Sequence, residues 1–183
     1  MIPVKTSIIG LGIMGRRMLE RLVAHPGYHP VAMWDPDPTA CQKAQAIAPD
    51  VAIVASPEDA IAASDLVYLA CPPAPRKAYA LSAAALSKAV FLEKPLGVDI
   101  AESEHLVAAL EARGVPAAVN FTQAAGAALS NVVEASINGT MGDLVGADIL
   151  VTYGQWPRTW QQEADWLKFR HEGCLLYTSD AAD

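Results

Sequence analysis

Three glycines near the start of the chain could bind a phosphate group. They form a G-x-G-x-x-G motif over residues 10–15, after the apolar run Val4–Ile9 and before a helical pattern. In this setting the first glycine permits a tight turn, the second lets the backbone approach a pyrophosphate, and the third lets the helix pack closely on the strand. The helix N-terminus adds free N–H groups and the positive end of its dipole. The motif predicts that a dinucleotide is bound by Gly10, Gly12, Ile13, Met14 and Gly15.

A carboxylate follows the second predicted strand. Asp35 comes directly after the apolar run Val31–Trp34, some distance beyond the glycine motif. A carboxylate at this place accepts hydrogen bonds from the adenosine ribose hydroxyls. It would repel a 2′-phosphate, and no arginine follows it, so the sequence favours NAD over NADP. Asp35-Pro36 is also a common turn sequence, and the two interpretations are compatible.

A proline-rich turn follows the fourth predicted strand. In a doubly wound sheet the ligands lie along the carboxyl edge of the strands. We therefore expect this turn to form a wall at the nicotinamide end of the cofactor, although an ordinary strand-to-helix turn is the alternative. Its predicted cofactor-binding residues are Cys71, Pro72 and Pro73.

The elements that must position these residues alternate along the chain. Apolar β-rich runs predict strands at residues 4–9, 31–34, 51–54, 66–70, 90–92 and 116–119. Helical patterns separate them, and strands joined by such helices form parallel βαβ units with both sheet faces covered. The predicted fold class is α/β, a doubly wound parallel Rossmann sheet followed by the start of a truncated α/β domain.

Capping signals predict where several helices begin and end. Asp37 and Ser56 each precede a proline at the first helical position, and a third helix begins at Pro75. Asp99 and Glu102 have the spacing of a capping box, and Gly114 stands just past the end of that helix.

The character of the sequence changes after Asn120. A helix is predicted over residues 124–137 and a longer strand over residues 146–153. The predicted domains are an NAD(P)-binding Rossmann domain at 1–120 and the beginning of a C-terminal substrate and oligomerisation domain at 121–173. The last ten residues, CLLYTSDAAD, resemble a translated sequencing-library adapter, so residues 174–183 are predicted to be a non-native tail; a natural tail is the alternative.

Composition narrows the classes of partner. Hydrophobic residues make up 52% and charged residues 18%, which is typical of a folded globular chain. With a net charge of −7 and no basic cluster, we expect no nucleic-acid or anionic-membrane partner. No apolar run is long enough to span a bilayer and no signal peptide is recognised, so a cytoplasmic protein is expected. The three cysteines show neither pairing nor metal-ligand spacing, and no metal is predicted.

The segment Val90–Gly97, VFLEKPLG, resembles the signature of the Gfo/Idh/MocA family of oxidoreductases. The resemblance extends over nearly all of residues 1–173 and includes the glycine motif, the Cys-Pro-Pro turn, the region of Gly142, and Trp166 before Gly173. It implies an NAD(P)-dependent dehydrogenase or reductase that moves a hydride between nicotinamide and a hydroxyl or carbonyl carbon of a sugar, cyclitol or related small molecule. It also implies a homo-oligomer for the whole protein.

The resemblance implies that Lys94 is the catalytic residue and lies near the nicotinamide and the substrate, often after a cis Lys-Pro bond. An ammonium group there can donate a hydrogen bond to a reacting oxygen and help to move a proton. Glu93 is expected to orient Lys94 or moderate its charge, although a surface Glu/Lys pair is the alternative. Asn120 and Gln123 are expected near the cofactor.

Some positions depart from the family pattern, and the roles of others are undecided from the sequence. Arg76 stands where the family often has a histidine, and Ser87 replaces a usual glycine before the fifth strand. The family's later histidine acid/base group would follow Gly173, and His171 is interpreted as an exposed loop histidine. Residues expected either to contact the nicotinamide half and substrate or to pack structurally are Trp156, Arg158 and Trp166.

Two alternatives to a dehydrogenase remain at this stage. Some relatives bind the dinucleotide and regulate partners without turnover, and a shared Rossmann domain does not prove catalysis. The chain could also be a fragment that is inactive by itself.

Overall fold

The computed structural model describes residues 2–122, 124–146, 148, 150, 152 and 154–155. These residues fall into two units, which divide after Asn120. The domain boundaries expected from sequence stay a prediction, because residues 156–173 and the expected tail at 174–183 lie outside the described residues.

A single parallel sheet organises the first unit. Its strands are β1 (Val4–Ile9), β2 (Tyr28–Trp34), β3 (Ala52–Ile53), β4 (Leu66–Leu69), β5 (Ala89–Glu93) and β6 (Ala117–Asn120). Their order is β3-β2-β1-β4-β5-β6, and every neighbouring pair is parallel. The prediction of a doubly wound parallel sheet is confirmed. The strand order reverses between β1 and β4, where such sheets leave a ligand crevice beyond the carboxyl ends.

Helices cover this sheet through two hydrophobic clusters. The helices of the first unit are α1 (Ile13–Ala24), α2 (Pro38–Ile47), α3 (Pro57–Ala63), α4 (Pro73–Ala85) and α5 (Ile100–Arg113). Ile8 belongs to the cluster that contains α1 and α2, whereas Ile9 belongs to the cluster that contains α3, α4 and α5. Successive strand residues point to opposite faces, so the end of β1 at Ile8 and Ile9 is buried on both sides, as expected for a parallel strand with both sheet faces covered.

The predicted N-caps are present on three helices. Side-chain oxygens of Asp37, Ser56 and Asp99 each accept a first-turn backbone N–H, at 2.8, 3.1 and 2.9 Å respectively. The full capping box at the start of α5 is wrong, because the Glu102 side chain does not return to the backbone of Asp99. It accepts a hydrogen bond from the ammonium of Lys77 on α4 instead. Either bond would use the ionised carboxylate, but the ammonium of Lys77 adds an opposite full charge that a backbone N–H lacks.

Three predicted boundaries and one predicted strand need correction. Strand β2 begins at Tyr28, three residues before the expected start at Val31. Helix α4 begins at Pro73 rather than Pro75, since a proline in the first turn costs no helical hydrogen bond. In the second unit, α6 (Ala127–Ile137) begins three residues later than expected. Of the strand predicted over residues 146–153, the described residues 146, 148, 150 and 152 have no strand structure, and the others lie outside the described residues.

A left-handed residue forms the turn between α4 and β5. Ser87 has a φ of 57°, and the turn is closed by hydrogen bonds from the N–H groups of Ser87 to Ala84 O and of Lys88 to Ala83 O, at 3.0 and 2.9 Å. This conformation is ordinarily supplied by glycine, as at Gly114 after α5, where φ is 63°. The serine therefore occupies a glycine-type turn rather than changing the turn.

The described residues contain neither a candidate membrane-spanning helix nor a candidate metal site. No described helix has the length and apolar character that a bilayer crossing requires. No group of three or more histidine, cysteine, aspartate or glutamate side chains is arranged there to hold a metal ion.

Candidate functional site

The glycine loop, residues 10–15, follows β1 and leads into α1. Gly10 has a φ of +95°, and a Cβ atom placed on it would lie 2.4 Å from the backbone nitrogen of Cys71. A Cβ atom on Gly15 would lie 1.9 Å from the carbonyl oxygen of Gly10. Real carbon atoms do not approach so closely, so only glycine fits at either position. The close contact of Gly15 is thus with the end of β1, through the Gly10 carbonyl.

Gly12 has the opposite surroundings. A Cβ atom placed on it would meet no protein atom within 4 Å. Gly12 is the N-cap of α1, and no side chain caps this helix. The first N–H groups of a helix have no partner within it. The open space beside Gly12 and the uncapped N–H groups of the first turn, at Ile13, Met14 and Gly15, therefore form a cradle for an anion.

Asp35 holds the glycine loop from the neighbouring strand. Its Oδ2 accepts the N–H of Leu11 at 2.6 Å, and its Oδ1 accepts the N–H of Asp37 at 2.8 Å. On the other side, Nη1 of Arg16 donates to the carbonyl of Leu11 at 2.8 Å. A carboxylate has about four acceptor positions, so two remain on the half-buried Asp35 for further donors.

A surface groove of about 570 Å³ lies beside Asp35. Its walls are mainly apolar, with two amide side chains, which suits a flat ring that carries a few polar atoms. The lining residues are Trp34, Asp35, Pro36, Pro38, Cys41, Gln42, Gln45, Ile53, Val54 and Ala55.

A buried carboxylate stands at the end of β5. Glu93 is 4% exposed, and its Oε1 accepts the hydroxyl of Tyr68 and the amide Nδ2 of Asn120, each at 2.5 Å. Its Oε2 accepts the backbone N–H of Lys94 at 3.2 Å. Burial, followed by the hydrogen bond to Glu93, raises the pKa of Tyr68, which keeps its hydroxyl a donor. The carboxylate is thus fixed by residues from β4, β5 and β6.

Lys94 itself is exposed, and the Lys94–Pro95 peptide bond is cis. Within the described residues no hydrogen bond or ion pair involves its side chain, so its ammonium faces outward. Glu93 contacts the backbone of Lys94 and not its ammonium. Of the two expectations for Glu93, the geometry fits orientation of Lys94 through the backbone better.

The sequence alone indicates no role for Arg76 and shows only that it departs from the family pattern. It is 2% exposed, and its Nη2 donates to the carbonyl of Cys71 at 2.6 Å. Its Nη1 donates to the carbonyls of Glu93 and Pro95. Burial lowers the pKa of Arg76, while the nearby Glu93 carboxylate favours its charged form. A sequence signal existed, because Arg76 shares a helical face with Ala80, Ala83 and Ala84, all of which are buried.

The Cys-Pro-Pro turn lies between these two regions. Cys71 is buried, and burial raises its pKa to about 11, so the thiol stays protonated at neutral pH. Pro72 is the N-cap of α4 and Pro73 its first residue. The backbone nitrogen of Cys71 is the atom that a Cβ at Gly10 would strike.

The structure therefore brings most of the expected site residues to the carboxyl edge of one sheet. The glycine loop and Asp35 are joined by a hydrogen bond, and Glu93 and Asn120 are joined by another. Neither Asn120 nor Lys94 contacts the glycine loop through a hydrogen bond in the described part of the chain. The candidate site positions that lie outside the described residues are Gln123, Trp156, Arg158 and Trp166, and the histidine interpreted as a loop residue, His171, lies outside them as well.

Comparisons with known proteins agree with this architecture. The GFO_IDH_MocA family, described as an oxidoreductase family with an NAD-binding Rossmann fold, matches residues 4–121. No curated protein sequence matches the chain.

Many solved structures share the fold. The chain is similar to myo-inositol 2-dehydrogenase from Lactobacillus plantarum, with a TM-score of 0.72 and 22% identity over 79% of this chain and 44% of that one. It is similar to scyllo-inositol dehydrogenase from Lactobacillus casei with bound NAD(H) and scyllo-inositol, with a TM-score of 0.72 and 21% identity over 78% and 43%. A third is the WlbA dehydrogenase from Bordetella pertussis in complex with NADH and UDP-GlcNAcA, with a TM-score of 0.70 and 24% identity over 77% and 44%. The chain thus spans less than half the length of these structures.

Proposed function

The chain belongs to the GFO_IDH_MocA oxidoreductase family, whose members have an NAD-binding Rossmann fold, and on that premise we propose that it binds NAD in the cradle of the glycine loop. We further propose that the whole protein moves a hydride between nicotinamide and a hydroxyl or carbonyl carbon of a small molecule. The substrate class is a sugar, a cyclitol or a related polyol.

The observation that carries the proposal is the empty space beside Gly12. Gly10 and Gly15 are enclosed by protein atoms, whereas a Cβ on Gly12 would touch nothing within 4 Å. The internal packing of the chain therefore explains two of the glycines but not the third. A pyrophosphate at the uncapped N-terminus of α1 explains the third.

The carboxylate of Asp35 supports NAD rather than NADP. Its two oxygens hold Leu11 and Asp37 and keep free acceptor positions for ribose hydroxyls. A carboxylate at this position would repel a 2′-phosphate. The neighbouring groove accommodates the adenine ring.

Lys94 is the residue proposed to act on the substrate. NAD, when bound, supplies the group that accepts or gives the hydride. The exposed ammonium of Lys94 donates a hydrogen bond to the reacting oxygen and holds or moves the proton at that oxygen. Glu93 binds the N–H of Lys94 and so holds its backbone in place.

The substrate proposal comes from relatives of similar fold. One of the similar structures holds scyllo-inositol and another holds UDP-GlcNAcA. Both are ligands with several hydroxyl groups, which suits a lysine that binds a hydroxyl or carbonyl oxygen.

NADH titration of the chain, followed by fluorescence, tests the cofactor site. Gly12→Ala is expected to weaken NADH binding at least ~10-fold with little change in stability, because its methyl group takes the space of the pyrophosphate. Gly146→Ala is the matched control, since Gly146 has open surroundings and lies outside the loop. Equal NADH affinity in the parent chain and Gly12→Ala would refute the phosphate cradle.

Asp35→Asn tests the ribose assignment in the same assay. The amide keeps one acceptor oxygen and removes the negative charge, so affinity for NADH is expected to fall while affinity for NADPH rises relative to it. An unchanged ratio of the two affinities would remove Asp35 from cofactor selection.

Lys94→Ala tests the proposed role of the lysine in an assay that measures turnover of a polyol with NAD. Turnover is expected to fall at least ~100-fold, which is the contribution of a lost acid/base group. Lys43→Ala, at an exposed lysine of α2, is the control. Near-normal turnover in Lys94→Ala would remove the lysine from the mechanism, and NADH binding without any turnover would favour a regulator.

A further inference from the structure

We propose that Arg76 is a positioning residue for Lys94, because its guanidinium ties the backbone on both sides of Lys94 to the turn at Cys71. The inference concerns the lysine segment, residues 93–95. The importance of this positioning for catalysis rests on the proposed function, whereas the hydrogen bonds themselves do not depend on that function.

Arg76 forms hydrogen bonds with the residues before and after Lys94 in the sequence. One guanidinium nitrogen binds the carbonyl of Glu93, which precedes Lys94, and the carbonyl of Pro95, which follows it. The other binds the carbonyl of Cys71, at the end of β4, at 2.6 Å. The carbonyls of the two residues that flank Lys94 are thus held by one buried side chain from α4.

A second buried side chain acts on the same segment. Glu93 accepts the N–H of Lys94 and is itself held by Tyr68 and Asn120. The backbone of Lys94 is therefore fixed from two sides, while its ammonium stays exposed. This division suits a residue whose backbone must be rigid and whose end group must reach a ligand.

Arginine is suited to this task by its donor geometry. A guanidinium carries five N–H donors in a planar fork, and here it reaches three carbonyls in two separate segments. A lysine ammonium at this position has one nitrogen, and a histidine ring has two nitrogens that point apart. Neither can reproduce all three bonds, so the loss of Arg76 should loosen the lysine segment specifically.

A purely structural role is the competing explanation. Arg76 is nearly fully buried, and removing a buried cation from its partners destabilises most proteins. A role in global stability would affect the whole first unit evenly. A positioning role would affect the amide of Lys94 more than the amides in the middle of the sheet.

Amide hydrogen exchange measured residue by residue separates these explanations. Arg76→Met and Arg76→Lys are compared with Lys77→Met, which removes a neighbouring cation that pairs with Glu102. In Arg76→Met the exchange of the Lys94 amide is expected to accelerate at least ~10-fold more than that of Val67 and Val90 in the sheet. Arg76→Lys is expected to give a smaller excess, and Lys77→Met none.

Equal acceleration at Lys94 and in the sheet, or none at Lys94, would overturn the proposal. If Arg76→Met does not fold, Arg76→Lys decides by the same ratio of exchange rates. The readout needs no cofactor, so a failure of NADH binding would remove the proposed function and leave this test intact. Where turnover is measured, Arg76→Met is expected to lower kcat at least ~10-fold while KM for NAD changes by less than about threefold.

Discussion

The glycine loop and the lysine segment lie at the carboxyl edge of the same sheet but are built in opposite ways. The glycine loop presents backbone N–H groups and open space. Of the two side chains that bond to it, Arg16 comes from the adjoining helix α1, and only Asp35, which follows β2, comes from elsewhere in the chain. The lysine segment is held by side chains from two other strands and a helix, namely Tyr68, Asn120 and Arg76.

The difference reflects what each region has to hold. A loop that binds a ligand must leave donors and volume free, so Gly12 is open although Gly10 and Gly15 are tightly packed. A segment that presents one of its own side chains must satisfy its backbone internally and leave a single group exposed. In the sequence, the glycine loop is visible as a spacing of glycines. The lysine segment depends on buried polar residues that lie far apart in the sequence.

The largest effect is expected from Gly15→Ala in the glycine loop. Its Cβ would overlap the Gly10 carbonyl, so the backbone at the end of β1 must shift. The free energy of unfolding is expected to fall by at least about 3 kcal/mol, and urea denaturation measures it. Gly12→Ala should change stability by less than about 1 kcal/mol. Similar losses in both would contradict the contrast between packed and open glycines.

An intermediate effect is expected from Glu93→Gln in the lysine segment. The amide loses the charge that three donors share, and in either orientation its NH₂ group would face a donor, either the Lys94 N–H or the donors of Tyr68 and Asn120. The expected loss of stability is about 2–3 kcal/mol. Asp35→Asn, at a half-buried carboxylate, should cost about 1 kcal/mol or less. Thermal or urea unfolding of both variants compares them, and equal costs would show that the two regions do not differ in burial of charge.

The smallest effect is expected at Cys71, which lies between the two regions, and it is a change of stability with pH. Burial raises the pKa of Cys71 to about 11, from an ordinary value of 9.0. The native state therefore holds the proton more tightly than the unfolded state, and the associated stability is complete below about pH 9 and is lost as pH rises toward about 11. At pH 10 the parent chain should have lost about 1 kcal/mol more than Cys71→Ala. If the stability of the parent chain and that of Cys71→Ala changed equally with pH, the thiol would not be shielded from solvent.

Most of the fold follows from local sequence patterns. The alternation of apolar strands and helices predicts the six-stranded parallel sheet, and the caps at Asp37, Ser56 and Asp99 are recognisable because each side chain bonds within its own first turn. The start of α4 was misplaced because three prolines near its N-terminus are each compatible with a first turn.

The candidate site is less accessible to sequence reasoning. The glycine loop and Asp35 could be recognised by spacing. The bonds of Arg76 to the lysine segment, and the pairing of Glu93 with Tyr68 and Asn120, join residues 17 to 27 positions apart. Such contacts depend on strand register, which local patterns do not specify. The partner of Glu102 was missed for the same reason, since Lys77 lies on a different helix.

The hydrogen bonds that hold Leu11 from both sides have a consequence for the speed of binding. Asp35 and Arg16 immobilise the peptide units on the two sides of Leu11 within the fold itself. The loop then loses little further conformational entropy when a dinucleotide arrives, and no slow rearrangement has to precede the encounter. Association should be a single rapid phase whose rate rises linearly with ligand concentration, and affinity differences among loop variants should lie mainly in the dissociation rate.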